Sequence, residues 1–226
     1  MRLRQIILLS MAVFAIAAYG LPQEKQEEKD QILKMSQVPA KVQQTIKTYA
    51  SAAEIKQITM GDVDGKKAYE FQIEKAGRKS EVSITPDGKV LTTEEEIPLA
   101  EIPDAARQSI NARAAGSKIA STEKVFENGK TAFEAVIEKG GKQSTIAVSP
   151  DGKVVGSEEE IALTEVPEAA RKTINAKAVG GKILSVKKVL EDGKTVFAAV
   201  IEKGGKQLEI TVAPDGKLVD SEDIKH

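Results

Sequence analysis

The chain has 226 residues with 33 basic and 34 acidic side chains, and this near-neutral balance argues against a nucleic-acid-binding protein. Because the sequence contains no cysteine, it has no disulfide framework, thiol nucleophile, lipid-attachment cysteine or cysteine-rich metal site. Aromatic residues make up only 4 % of the chain, which favours several small aliphatic cores over one large core.

The first twenty residues have the pattern of an export signal. Arg2 and Arg4 form a basic start, Ile6 to Ala18 is apolar, and Gly20 ends a small-residue cleavage motif. The apolar run is shorter than the ~20 residues that a bilayer-spanning helix needs, which favours cleavage over a signal anchor. We therefore predict a signal peptide at 1–20, a mature chain without a membrane span, and a periplasmic or secreted protein.

A 64-residue repeat runs through the remaining sequence without a gap. Its start is marked by the pairs Val38-Pro39, Ile102-Pro103 and Val166-Pro167. Its final turn is a Pro-Asp-Gly-Lys motif that begins at Pro86, Pro150 and Pro214. Such regularity indicates duplication of one unit. We predict a flexible polar segment at 21–35, followed by modules at 36–97, 98–161 and 162–226.

Each copy predicts one helix. A proline with its fixed φ suits the first turn, and apolar residues then recur at every fourth position. The three apolar stripes are Val42, Ile46 and Ala50, then Ala106, Ile110 and Ala114, then Ala170, Ile174 and Ala178. Gly116 and Gly180 stand near the helix ends, where glycine adopts the left-handed conformation most easily.

Short strands follow each helix. Asn128-Gly129 and Asp192-Gly193 predict two-residue hairpins, and the middle strand alternates large apolar with polar residues, as in Tyr69, Phe71 and Ile73. An antiparallel sheet can bury one face under a helix and leave the other in water. The sequence therefore predicts an α+β protein of three tandem modules, each one helix packed on a three- or four-stranded antiparallel sheet.

These motifs resemble those of the PepSY-like family, which includes β-lactamase-inhibitor-like proteins of bacterial periplasms. The resemblance covers residues 36–225 and rests on Val-Pro-x-Ala, the apolar helix, Asp-Gly-Lys-Thr-x-Phe, Gly-Gly-Lys and Pro-Asp-Gly-Lys. It is strongest in copies two and three, whereas copy one has Ala76-Gly77 in place of the double glycine. It implies three tandem exported domains without catalytic residues, similar to domains that inhibit or regulate peptidases.

The sequence offers no catalytic or metal-binding constellation. Its only histidine is the last residue, His226, so no internal base could activate a serine. The runs Glu94-Glu95-Glu96 and Glu158-Glu159-Glu160 would alternate faces in a strand, and we predict that they are solvated connectors. The segment Asp62-Val63-Asp64-Gly65 lacks two ligands of a calcium loop and is predicted to be a hairpin. We predict a non-enzymatic protein without metal or cofactor.

The outer face of the middle strand becomes more apolar along the chain. Polar Glu70, Gln72 and Glu74 in copy one give way to Val136 among charged residues in copy two. Large open apolar surfaces usually serve binding. We predict a partner-binding surface that contains Val136, Val196, Ala198 and Val200. The alternative is that these side chains pack between copies two and three or against a connector.

The sequence thus predicts an exported, non-catalytic protein that binds a protein or peptide by surface contact. Such binding could inhibit or regulate an envelope peptidase or another envelope enzyme. Two alternatives are a small-ligand- or cation-binding envelope protein and a structural spacer. The sequence specifies neither the partner nor the oligomeric state.

Overall fold

The computed structural model describes residues 32–51, 54–63, 66–191 and 193–224. The predicted signal peptide and most of the predicted flexible segment lie outside these ranges, as do Asp64, Gly65, Asp192 and His226. Within them the helices are α1 (Ala40–Ile46), α2 (Asp104–Arg113) and α3 (Glu168–Lys177). The first six strands are β1 (Ile55–Val63), β2 (Lys66–Lys75), β3 (Arg78–Ile84), β4 (Val90–Glu96), β5 (Lys118–Glu127) and β6 (Lys130–Lys139). The others are β7 (Lys142–Val148), β8 (Val154–Glu160), β9 (Lys182–Glu191), β10 (Lys194–Lys203), β11 (Lys206–Val212) and β12 (Leu218–Ile224).

All twelve strands form one antiparallel sheet, in which the strands lie side by side in chain order. β4 pairs with β5, with Glu94 opposite Val125, and β8 pairs with β9, with Glu158 opposite Val189. The prediction of three modules with separate small sheets is therefore wrong. The last strand of a repeat would otherwise present unpaired backbone N–H and C=O groups, and the first strand of the next repeat satisfies them.

The predicted solvated connectors are also wrong, because Glu94–Glu96 lie in β4 and Glu158–Glu160 lie in β8. Adjacent strand residues point to opposite faces, and in β8 basic side chains meet the carboxylates on both faces. On the helix face, Arg113 of α2 donates to Glu159 at 2.8 Å. On the other face, the Lys187 Nζ lies 2.5 Å from a carboxylate oxygen of Glu158. The run Glu158–Glu160, whose composition resembles that of a loop, thus forms part of an internal strand.

The three helices lie on one face of the sheet, each over strands of its own repeat. In the second repeat, Ile110 of α2 packs in one buried cluster with Phe133 and Ile137 of β6 and Ile146 of β7. Equivalent clusters join Ile46 to Phe71 and Ile174 to Phe197. The predicted core, made by the helix stripe and the aromatic strand face, is confirmed.

The last hairpin of each repeat is fixed against the helix of that repeat. In the second repeat, the Ser109 Oγ of α2 donates to the Gly152 carbonyl at 2.7 Å. Thr45 and Thr173 donate in the same way to Gly88 and Gly216, at 2.8 and 2.7 Å. Gly152 has a φ of +88°, and an added Cβ would lie 2.8 Å from the Ala105 carbonyl oxygen. Both the backbone conformation and this close approach require glycine.

The same backbone hydrogen bond precedes the helix in every repeat. The Leu33 N–H donates to the Ile58 carbonyl at 2.8 Å, and Ile97 and Ile161 make the equivalent bonds to Thr122 and Val186. Leu33 and Met35, which fall in the predicted flexible segment, also pack against the first core. The prolines Pro39, Pro103 and Pro167 stand one residue before their helices rather than in the first turn. None of the described helices is long and apolar enough to span a membrane.

The continuous sheet predicts a distinct pattern of amide hydrogen exchange. Because β8 is paired on both sides, consecutive amides from Gly156 to Glu159 should all be protected. In the edge strand β12, which pairs only with β11 among the described strands, only alternate amides should be protected. Exchange followed by NMR measures both strands in one sample. Alternating protection in β8 would mean that the repeats do not share a sheet.

The close contact between the last hairpin of the second repeat and α2 predicts that two glycine substitutions lower stability by different amounts. Gly152 and Gly141 both have a positive φ, but an added Cβ at Gly141 meets no atom within 4 Å. Gly152→Ala should therefore lower the free energy of unfolding by about 1–3 kcal/mol more than Gly141→Ala. Urea denaturation followed by circular dichroism measures the difference. Equal losses would show that the approach to Ala105 does not constrain this turn.

Candidate binding face of the sheet

We call the side of the sheet that points away from the three helices the open face. In β10, Phe197, Ala199 and Ile201 point towards α3, so the intervening Val196, Ala198 and Val200 point to the open face. Cross-strand pairing extends this alternation through every strand of the sheet. None of the described helices packs on the open face.

An apolar cluster lies on the open face of the third repeat. Val189 of β9 stands opposite Val196 of β10, and these two residues form a buried cluster with Ala198. Val200 lies on the same face and is half-buried. Three of the four predicted partner-binding residues thus lie on one face of one strand, and two of them, Val196 and Ala198, cluster with a valine that the sequence analysis did not identify.

Val136, the fourth predicted residue, is in a different part of the open face. It belongs to β6 and stands between Ser121 of β5 and Thr145 of β7. Four strand spacings separate β6 from β10, roughly 19 Å between backbones. The structure therefore does not bring Val136 into the same local surface as Val196, Ala198 and Val200.

A groove of about 250 Å³ adjoins the apolar cluster on the open face. Its apolar lining is Val189, Ala198 and Val200, and its charged lining is Glu158, Lys187 and Glu209. The groove joins β8 of the second repeat to β9, β10 and β11 of the third. It exists because the two repeats share one sheet.

Glu158 is the least exposed charged group of this groove, with 8 % of its surface accessible. Its Oε1 atom lies 2.5 Å from the Lys187 Nζ. Its Oε2 atom is buried and has no hydrogen-bond partner in the described part of the chain. Burial raises the pKa of Glu209; the positive charge of Lys187 opposes this rise, and the negative charge of Glu158 adds to it. With two carboxylates and one lysine in its lining, the groove has a net negative charge when both carboxylates are ionised.

A second charged region occupies the open face where the first and second repeats meet. Glu81 stands opposite Glu94, and Glu123 stands opposite both Glu96 and Glu134. Burial and the neighbouring carboxylates, Glu81 first, raise the pKa of Glu94 to about 8. Burial and Glu96 raise the pKa of Glu123 to about 7. Across residues 32–51, 54–63, 66–191 and 193–224, no group of three or more potential ligands is arranged to hold a metal ion.

The two regions occupy equivalent positions, 64 residues apart, and differ by substitutions that change their charge. Glu94 corresponds to Glu158 and is retained, but Glu81 becomes Thr145, Glu123 becomes Lys187 and Glu134 becomes Ala198. The lysine supplies a counter-ion for the retained glutamate, and the alanine removes a side chain that points to the open face. The third repeat thus has a groove with an ion pair where the second has crowded carboxylates.

No family model and no curated protein matches this chain. Three solved structures resemble part of it. A DUF2874-family protein of Bacteroides uniformis has 13 % identity and a TM-score of 0.43, covering 54 % of this chain and 88 % of that one. A proposed periplasmic protein of Bacteroides eggerthii has 18 % identity and a TM-score of 0.44, covering 53 % and 87 %. A BLIP-like protein of Bacteroides fragilis has 17 % identity and a TM-score of 0.43, covering 54 % and 86 %. Each likeness is partial, and none assigns a family or function to this chain.

The raised pKa values predict that stability falls as the pH rises from 5 to 9. Between the unfolded pKa of about 4.5 and the folded pKa of Glu94, the folded protein holds a proton that the unfolded chain releases. Rising pH therefore favours unfolding. Glu94→Gln, which imitates the protonated carboxyl, should raise the Tm at pH 9 by at least about 3 °C and change it little at pH 5.

Glu95→Gln is the matched control, because Glu95 is exposed and points to the opposite face. Its Tm should follow the wild-type pH profile. Melting curves by circular dichroism from pH 5 to pH 9 measure all three proteins. A wild-type Tm that rises with pH, or a Glu94→Gln profile that matches the wild type, would contradict the assigned pKa shift.

Proposed function

We propose that this chain is a non-catalytic periplasmic protein that binds a polypeptide partner on the open face of its sheet. The observation that carries the proposal is the groove beside Val189, Val196 and Ala198, on a sheet face that no described helix covers. We propose export on the ground of the N-terminal pattern of basic and apolar residues. The Bacteroides eggerthii protein is described as periplasmic.

The shape of the open face favours a polypeptide over a small molecule. The groove of about 250 Å³ is smaller than the ~300–1,000 Å³ of pockets that enclose drug-sized ligands. It is, however, part of a much wider surface that extends over twelve strands. A polypeptide partner would place one or two side chains in the groove, and the rest of its chain would contact the surrounding surface. Many protein interfaces have this arrangement of a central anchor with further contacts around it.

The three repeats, at 36–97, 98–161 and 162–226, would then contribute three chemically different segments to one surface. The first two meet in a carboxylate-rich region, the second and third meet at the groove, and the third holds the apolar cluster. Binding by a preformed face needs no reaction. We propose that occupation of the face blocks the partner, which would make the protein an inhibitor or regulator of an envelope peptidase or another envelope enzyme.

Site-specific photo-crosslinking tests this function. A benzoyl-phenylalanine at Val200, in the groove wall, should crosslink one periplasmic polypeptide in irradiated extract of the host. The same group at Asn175, which is exposed on α3, should not, because α3 lies on the opposite face. Mass spectrometry identifies the product.

Two results would contradict the proposal. One is crosslinking of the same polypeptide with equal yield from Val200 and Asn175, which would mean that the open face is not the contact surface. The other is no polypeptide from either position together with a calcium-dependent rise in Tm, which would favour the cation-binding alternative.

A further inference from the structure

We propose that the groove between Glu158 and Glu209 receives a lysine or arginine side chain of the polypeptide partner. The inference rests on the proposed function and specifies the chemistry of its site. The cation would pair with Glu158 in the negative field of Glu209, and its aliphatic stem would lie against Val189, Ala198 and Val200.

The first step concerns the carboxylate of Glu158. Only 11 % of the Glu158 side chain is accessible, and only its Oε1 atom has a partner among the described residues, Lys187. Its Oε2 atom has no donor within the part of the chain that the structure describes. A buried carboxylate oxygen without a donor is costly, and such atoms in folded proteins usually have a partner. Glu158 lines the groove, so a rotation of its carboxylate about χ3 would turn this buried oxygen towards a donor that enters the groove.

The second step concerns the charge that this donor should have. Glu209 lies in the groove, Glu222 stands directly opposite it on β12, and Asp220 follows on the same face. Like charges opposite each other in a sheet are mutually destabilising. Lys187 is the one cationic side chain of the groove lining, and it is already paired with Glu158. A cationic donor is therefore favoured over a neutral one.

The third step concerns shape. Glu158 and Glu209 belong to strands three spacings apart, roughly 14 Å between backbones, with apolar side chains between them. Two carboxylates so placed do not converge on a single metal ion. Lysine and arginine instead combine an apolar stem with a charged head, and they bury the stem along apolar surface. The groove matches such a side chain, because apolar residues lie between its two carboxylates.

Synthetic peptides test the inference on the full chain. The probe is a fluorescein-labelled nonapeptide of alternating lysine and valine, compared with the same peptide in which glutamine replaces lysine. At low ionic strength the lysine peptide should bind saturably, as measured by fluorescence anisotropy, and added salt should weaken it. The glutamine peptide should bind at least tenfold more weakly, because the charged hydrogen bonds are lost.

Glu158→Gln should weaken binding of the lysine peptide at least tenfold. Glu159→Gln is the matched control: it makes the same change one residue away, on the helix face, and should alter affinity less than about twofold. Lys187→Met removes the resident competitor for Glu158 and should strengthen binding. If Glu158→Gln does not fold, as judged by circular dichroism, Glu209→Gln takes its place with the same expectation.

Three results would overturn the inference. They are equal binding of the lysine and glutamine peptides, equal effects of Glu158→Gln and Glu159→Gln, and weaker binding by Lys187→Met. Glu158-dependent binding of spermidine without binding of the lysine peptide would also overturn it, in favour of a small amine. Crosslinking at Val200 together with any of these results would leave the proposed function standing and remove only the cationic anchor.

Discussion

The pairing of the last strand of one repeat with the first strand of the next determines the rest of the structure. β4 with β5, and β8 with β9, convert three copies of one unit into a single sheet. Since the alternation of side chains continues across both pairings, all three helices lie on one face. The same pairings bring Glu158 of the second repeat beside Val189 and Lys187 of the third. The candidate site is therefore a product of repetition and belongs to no single repeat.

The first strand of the sheet lacks a charge that the internal pairings share. Inside the sheet, Glu95 stands opposite Lys124 and Glu159 opposite Lys188. Met60 of β1 stands where β5 has Lys124 and β9 has Lys188. The first strand therefore cannot form the same ion pair with another copy of the repeat. β12 is rich in exposed acidic residues, which protect a sheet edge from further pairing. At this position β1 thus differs from the internal strands, whereas β12 keeps an acidic residue, Asp223.

Local patterns predicted the helices, hairpins and cores, because each depends on residues close in sequence. The stripe that contains Ile110 and the alternation around Phe133 required no knowledge of distant partners. The separate sheets and solvated connectors were wrong because strand pairing between repeats is non-local, and a run such as Glu158–Glu160 resembles a loop in composition. The alternation of side chains along β10 was enough to propose Val196, Ala198 and Val200. Placing Lys187 and Glu209 in the same groove required the register of four strands, which the sequence does not show. The sequence did contain one indication of the charged site: the change from Glu123 to Lys187 at equivalent positions of two repeats.

A designed disulfide tests the central claim, that β8 and β9 pair in the stated register. Glu159 stands directly opposite Lys188, where Cα atoms lie about 4.5–5.5 Å apart, within the range of a disulfide. The natural chain has no cysteine, so Glu159→Cys with Lys188→Cys introduces the only pair. Glu159→Cys with Val189→Cys is the control, since those side chains point to opposite faces. The account predicts an intramolecular disulfide by mass spectrometry of the folded first variant alone; free thiols there, or equal oxidation of both variants, would contradict it.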